Sequence, residues 1–237
     1  MIAIRSICSW FLFALLCAAS SCWGGLACAK LDISPAYAHL DVLESGRTTK
    51  ALNMYGVRVD SSFVLDWGPY MRLGAMETHR GGALYQAGVA LGFWLPLHEC
   101  VYVTPLIGVN YSYFRTHAPI RMLNYLLAEP MSFRQQFRTR SPFVGAELLV
   151  NLPRGWRAGA SYNFNWCRSA VTITRIGIKN RKNESKGPAY AFFVEKDINA
   201  CWSLTAAAGY NLALSHEKHG LRGFGGKLGL SYWFCGR

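Results

Sequence analysis

Acidic residues are scarce in this chain. There are 13 Asp and Glu against 25 Lys and Arg among 237 residues, a formal net charge of +12. Charge of either sign is also sparse, at 16% of residues, while 51% are apolar. A chain so poor in charge and rich in apolar side chains is not a disordered, solvated polymer. Past residue 29 no stretch has the roughly 20 consecutive apolar residues that a membrane-spanning helix needs, which excludes a helical membrane bundle. Half of the eight cysteines fall within the first 29 residues, leaving Cys100, Cys167, Cys201 and Cys235. What the sequence does have is aromatic residues at 14% and 23 glycines, set in a repeating two-residue pattern.

The clearest example is Trp202 to Leu214. Trp202, Leu204, Ala206, Ala208, Tyr210, Leu212 and Leu214 occupy one parity, and Ser203, Thr205, Ala207, Gly209, Asn211 and Ala213 the other. Period two marks a strand with one apolar face. Trp156–Trp166, Val101–Tyr113, Tyr85–Leu95 and Val144–Val150 repeat it, and Tyr190–Val194 gives a shorter version. Weaker strands are expected over 32–40, 52–60 and 67–76, and the last over 228–234. The sum is ten strands. A water-soluble sandwich would need bulky residues on its inner face, but here the face opposite the bulky one carries Gly, Ser, Asn and Ala. Bulky residues outside and small polar residues inside describe a barrel facing lipid, with aromatic residues at both ends of the wall.

The chain's two ends agree with this. Arg5 is the one charge before Lys30, Ile7–Leu16 is a short apolar core, and Ala27-Cys28-Ala29 is a small-x-small site. This is the pattern of a secretory leader, residues 1–29, cleaved after Ala29, with a single barrel domain over 30–237. Lipidation at Cys22 or Cys28 is the alternative, although neither has a Leu three residues earlier. At the other end, Lys227, Gly229, Tyr232 and Phe234 fit polar-x-Gly-x-x-apolar-x-apolar. This resembles the terminal signal by which outer-membrane β-barrels are recognised by their insertion machinery, with Cys235, Gly236 and Arg237 following it here. The whole mature length is similar to small bacterial outer-membrane β-barrels. The resemblance implies an all-β, antiparallel up-and-down barrel of ten strands, or eight if the first two lie outside the wall. It also implies a monomer in contact with outer-membrane lipid.

Connections alternate in length. Those at 61–66, 96–99, 153–155 and 196–200 are short, while 115–140 and 168–187 are long. In such barrels short turns face the periplasm and long loops the exterior, so both termini are expected in the periplasm. The expected outer loops are basic: Arg121, Arg134, Arg138 and Arg140 in one, Lys179, Arg181, Lys182 and Lys186 in the other. Solvation, pairing with lipid phosphates, or binding of anionic host or surface polymers all account for them. Nucleic acid does not fit an exported chain. Apolar residues at helical spacing over 119–129 suggest a short rim helix.

Inside, parity directs Arg58, Asp60, Arg72, Glu147, Arg157 and Lys227 into the lumen. Charges there need partners. Ten strands enclose little more than the side chains themselves, since about eight are just filled. The interior is therefore either ion-paired and closed or a narrow, anion-selecting channel. Catalysis is the remaining class. His79 with Glu77, and the run His216-Glu217-Lys218-His219, place histidines near carboxylates at the rim. They do not match the paired aspartates of the omptin proteases, and no third metal ligand accompanies His216 and His219. No cofactor or metal is expected. Cys201 and Cys235 would face each other if their hairpin centres on Lys218, making them a candidate disulfide.

Overall fold

A computed structural model describes residues 26–65, 69–79, 83–119, 132–173 and 178–234. The strands are β1 (Leu26–Glu44), β2 (Arg47–Leu65), β3 (Pro69–His79), β4 (Ala83–Phe93), the short β5 (Leu95–His98), β6 (Val101–Pro119), β7 (Ser132–Leu152), β8 (Trp156–Ile173), β9 (Ile178–Asp197), β10 (Trp202–Leu214) and β11 (Gly220–Trp233). One 3-10 turn, Pro153–Gly155, links β7 to β8. All neighbouring strands are antiparallel, β4 pairs with β6, and β1 pairs with β11. The sheet thus closes on itself. Because β5 continues β4 along β6, the wall has ten strands, not eight.

The wall's parity follows the sequence. Leu91, Ile107, Leu148, Phe192, Leu204 and Leu230 are exposed on its outer surface, while Ser34, Thr78, Ser203 and Ser231 are fully buried within. Outward aromatics form rows near both ends. Phe224, Tyr210, Tyr190 and Tyr162 are successive cross-strand partners. From Trp156 to Trp166 there are ten steps (166 − 156) on β8. At about 3.3 Å per residue and a tilt near 40°, this spans about 25 Å of height, the thickness of an outer-membrane apolar band.

Interior glycines make room for inward rings. Phe143 lies opposite Gly108 and Phe193 opposite Gly159. A Cβ at Gly159 would come 2.2 Å from the Phe193 ring, and one at Gly108 would come 2.6 Å from that of Phe143.

The expected long loops are corrected in kind. β6 and β7 stay paired from Tyr113–Arg138 out to Pro119–Ser132, and β8 and β9 from Trp166–Lys186 out to Ile173–Ile178. Arg134, Arg138, Arg140, Lys179, Arg181, Lys182 and Lys186 therefore stand on strands. The period-two signal fades there because beyond the membrane both faces of a sheet can be wet, while the backbone ladder continues regardless. Arg121 and the expected helix segment 120–129 lie outside the described residues. The expected turn over 96–99 is mostly strand, with the chain reversing at Glu99 and Cys100.

The wall is uneven in height. Beyond the aromatic rows β6–β9 continue for several residues, whereas β3–β4 stop close to them.

The last hairpin is also corrected. Trp202 pairs with Tyr232 and Leu214 with Gly220. Paired numbers sum to 434, so the hairpin centres on residue 217 rather than on Lys218. The five-residue turn Ser215–His219 sets this: the Ser215 amide donates to the His219 carbonyl at 2.7 Å, and Lys218 takes φ +60°. Cys201 consequently lies opposite Trp233, whose amide donates to its carbonyl at 2.8 Å, and its thiol is free. Cys235 lies outside the described residues.

Residues 1–25 also lie outside them. Strand pairing begins at Leu26, ahead of the expected domain start at Lys30, and the Phe234 amide donates to the Ala29 carbonyl at 2.9 Å. Tyr232 packs edge-on against both Trp202 and Phe234, with ring centroids 4.9 and 5.0 Å apart. Tyr232→Ala and Phe234→Ala each remove an aromatic contact worth about 0.5–1.5 kcal/mol from the closing seam. Both variants are expected to lower the folded yield, read as heat-modifiable mobility in mild-detergent gels.

Candidate functional site: an ion-paired interior beneath a basic rim

The six charges directed inward by parity meet in the lumen with four more. Lys227 Nζ donates to Asp32 Oδ1 at 2.6 Å and to Asp60 Oδ2 at 2.8 Å. Arg58 grips Asp60 with two bonds of 2.6 and 2.9 Å. Ser34 and Ser231 donate to Asp32 at 2.5 and 2.9 Å. Arg72 donates to Glu147 at 3.1 Å. Nearer the end that holds Leu26 and Phe234, Arg157 donates to Glu195 at 2.6 Å and Asp197 at 2.9 Å. Lys30 reaches the other Glu195 oxygen at 2.5 Å. Trp233 Nε1 and Ser203 Oγ also donate to Glu195, and the Arg157 guanidinium stacks on the Trp233 ring at 4.5 Å.

The positions of these groups follow from the wall. Asp32, Asp60, Glu195 and Lys227 share the inward parity of their strands, and cross-strand register brings Asp32 opposite both Asp60 and Ser231. Two carboxylates placed side by side repel each other, and the Lys227 ammonium between them removes that cost. Asp32 and Glu195 each have cationic and hydroxyl donors and Asp60 has two cationic ones, as burial in a narrow lumen requires. The ten charges named here balance: Asp32, Asp60, Glu147, Glu195 and Asp197 against Lys30, Arg58, Arg72, Arg157 and Lys227.

Apolar side chains fill space on either side of the network. Leu52, Met54, Leu84 and Phe114 form a buried cluster towards the β1–β2 turn. Tyr70, Ala90, Leu106 and Phe143 form another along β3, β4, β6 and β7.

Asp32, Lys30, Glu195 and Asp197 escaped the sequence reading. Glu195 was within its reach, because it follows the outward Val194 and so must point inward. Asp32 sits in a strand whose alternation is weak.

The rim histidines do not converge on a site. Glu77 and His79 pair at 2.9 Å on the outward parity of β3. His219 Nδ1 accepts from the Ser45 amide at 3.2 Å, tying the β10–β11 turn to the β1–β2 turn. Among the described residues no three potential metal ligands cluster.

Several solved structures resemble this chain. The outer-membrane protease OmpT from Escherichia coli superposes with a TM-score of 0.58 at 12% identity, covering 87% of this chain and 97% of that one. The translocator domain of the autotransporter NalP from Neisseria meningitidis gives 0.52 at 9% identity, covering 97% of each. The attachment invasion locus protein Ail of Yersinia pestis, solved with the heparin analogue sucrose octasulfate, gives 0.42 at 13% identity, covering 86% of this chain and 98% of that one. The fold is that of a small outer-membrane β-barrel. No protein-family model matches the chain, and no curated protein sequence matches it. The barrel assignment rests on the closed ten-strand wall, its exposed apolar belt and the likeness to the first two of these structures.

In such a barrel the buried network is a large electrostatic element of the lumen. Lys227→Met leaves Asp32 and Asp60 facing each other and is expected to destabilise the folded barrel by about 3–5 kcal/mol. Lys227→Met with Asp32→Asn should recover much of that loss. Urea titration followed by tryptophan fluorescence in micelles measures both, and their non-additivity isolates the coupling.

Proposed function

We propose that this barrel is a closed, non-enzymatic, monomeric surface protein that holds its long β6–β9 wall outside the cell as a platform for contact. The observation that carries this reading is the ion-paired lumen, in which ten balanced charges are engaged with one another and two apolar clusters flank them. A hydrated ion entering would have to separate pairs such as Lys227–Asp32, which the protein interior resists. The narrow-channel reading has no comparable support, because the ten paired charges named among the described residues carry no excess of one sign to select a solute. A hydrolase reading lacks a convergent constellation at the rim: Glu77 and His79 face outward, and His219 is engaged by backbone.

The strand ends support this orientation. The connections at 66–68, 99–100, 153–155 and 198–201 are short and share one end with Leu26 and Phe234. This is the arrangement of a periplasmic end, with the tall strands outside. An exported leader over 1–29 and delivery through the insertion machinery at the Lys227–Phe234 segment complete the reading. Beyond the membrane, anionic surface polymers are the partners that a basic platform suits.

Planar-bilayer recordings of the refolded protein should show no discrete conductance steps. Steps of uniform size would establish a channel instead. Epitope tags inserted near Pro130 and Asn183 should label on intact cells. Labelling only after the outer membrane is permeabilised would reverse the orientation.

A further inference from the structure

The lumen is not evenly packed. Asp60, Gly74, Gly88 and Asn110 are successive partners along one row of the ladder, from β2 through β3 and β4 to β6. All four face inward. The two glycines leave a trough in the wall, and side chains lean into it from both ends. A Cβ at Gly88 would lie 2.1 Å from Asn110 Oδ1, and one at Gly74 would lie 2.6 Å from Asp60 Oδ1 and 3.8 Å from Arg58 Nη2. Arg72 is the next inward residue from Gly74 on β3, and Gln86 the next from Gly88 on β4. Across the lumen, Ala191, Ala207, Gly209 and Gly225 face inward on β9–β11 and are partly accessible, and Asn110 itself is exposed. Asn211, inward between Ala189 and Gly223 and nearer the outer end, is exposed too. Open space therefore runs from the outer end down to the trough.

The ion pairs beside the trough turn their cations towards that space. The Arg58 side chain is 32% exposed against 11% for Asp60, and that of Arg72 is 34% exposed against 14% for Glu147. Arg58 bonds Asp60 through Nε and Nη2, and Arg72 bonds Glu147 through Nη1. Each guanidinium has five N–H donors, so both keep donors to spare on the accessible side. The network is neutral as a whole, yet it shows the open lumen a positive face. Paired N–H donors match the oxygens of a carboxylate or phosphate. The amides of Asn110 and Gln86 each donate and accept, which is what hydroxyl groups need of a partner.

We propose that the outer half of the lumen is a blind binding site for small hydroxylated solutes carrying one oxyanion, the class of acidic and phosphorylated sugars. The oxyanion lies on Arg58 and Arg72, and the hydroxyl groups lie along the trough against Asn110 and Gln86. The paired charges nearer Leu26 form a floor that the solute does not pass. This goes beyond the platform reading and takes from it only the closure of that floor.

The test is isothermal titration calorimetry on the refolded full-length barrel in neutral-detergent micelles, with glucose 6-phosphate, glucose and inorganic phosphate as probes. Wild type is expected to bind glucose 6-phosphate at least about tenfold more tightly than glucose, the scale of a charged hydrogen bond. Inorganic phosphate should bind more weakly than the sugar phosphate. Arg72→Gln should remove the preference for the phosphorylated sugar. Asn110→Ala should weaken binding roughly threefold, as loss of one neutral hydrogen bond does. Ala191→Phe touches none of the charges but fills the space opposite the trough, and it should weaken binding at least about tenfold if the solute sits in the lumen. Equal binding of glucose 6-phosphate and glucose by wild type, or none of either, would overturn the proposal, and this arm decides even if a variant does not fold. So would phosphate that binds as tightly as the sugar phosphate, since the amides would then contribute nothing. Binding that survives both Arg72→Gln and Ala191→Phe in folded barrels would put the anion on the outer basic strands and overturn the lumenal site. Calorimetry reads no current, so conductance steps would end the platform reading without altering this result, and failure here leaves that reading standing.

Discussion

Hydrocarbon offers no hydrogen bonds, so every amide that crosses it must find a partner within the protein. In this chain the β1–β11 ladder meets that demand. Without it, β1 and β11 would present two open edges to lipid. With it, the ten-strand wall is continuous, and alternate side chains have no choice but to face either lipid or lumen. The exposed apolar belt and the buried serines are two sides of that single closure.

Closure then dictates the chemistry inside. A ten-strand lumen is too narrow to hydrate a row of ionised side chains, so each must be neutralised by a neighbour. Lys227 on β11 bridges carboxylates on β1 and β2, far off in sequence, and Arg157 on β8 bridges two carboxylates of the neighbouring β9; β9 and β10 lie hydrogen-bonded between the strands that supply Arg157 and Lys227. The interior group balances to zero. The chain's large positive excess therefore belongs to its outer surfaces, and part of it gathers at one height on β7–β9. Charge is sorted by location: paired within the lumen, largely unpaired on the outer faces of β7–β9.

The sequence showed most clearly what lipid enforces. Trp156–Trp166 and Trp202–Leu214 alternate because one face must be apolar, and both strands appear where the alternation places them. Arg58, Asp60, Arg72, Glu147, Arg157 and Lys227 point inward on the same logic. Their partners were less legible, since which Asp meets Lys227 depends on the register of β1, β2 and β11, and parity carries no register. The stretches 115–119, 132–140 and 168–173 read as loop because, above the membrane, nothing compels one face to be apolar. The register of the last hairpin differs from the expected one for a related reason: a turn centred one residue earlier moves every cross-strand partner by two, and Cys201 meets Trp233. The unbalanced group at Arg138, Arg140, Arg168 and Lys186 was visible as charge but not as a face, because it becomes one only when β7, β8 and β9 are known to be paired there.

The closing seam has a second fastening. Past the last ladder pair, the Gly46 amide donates to the Lys218 carbonyl at 2.9 Å and the Ser45 amide to His219 Nδ1 at 3.2 Å. The strand that begins the barrel and the one that ends it are therefore latched tip to tip through their turns, so fraying at the outer end of the seam has to break these bonds before it reaches the β1–β11 ladder.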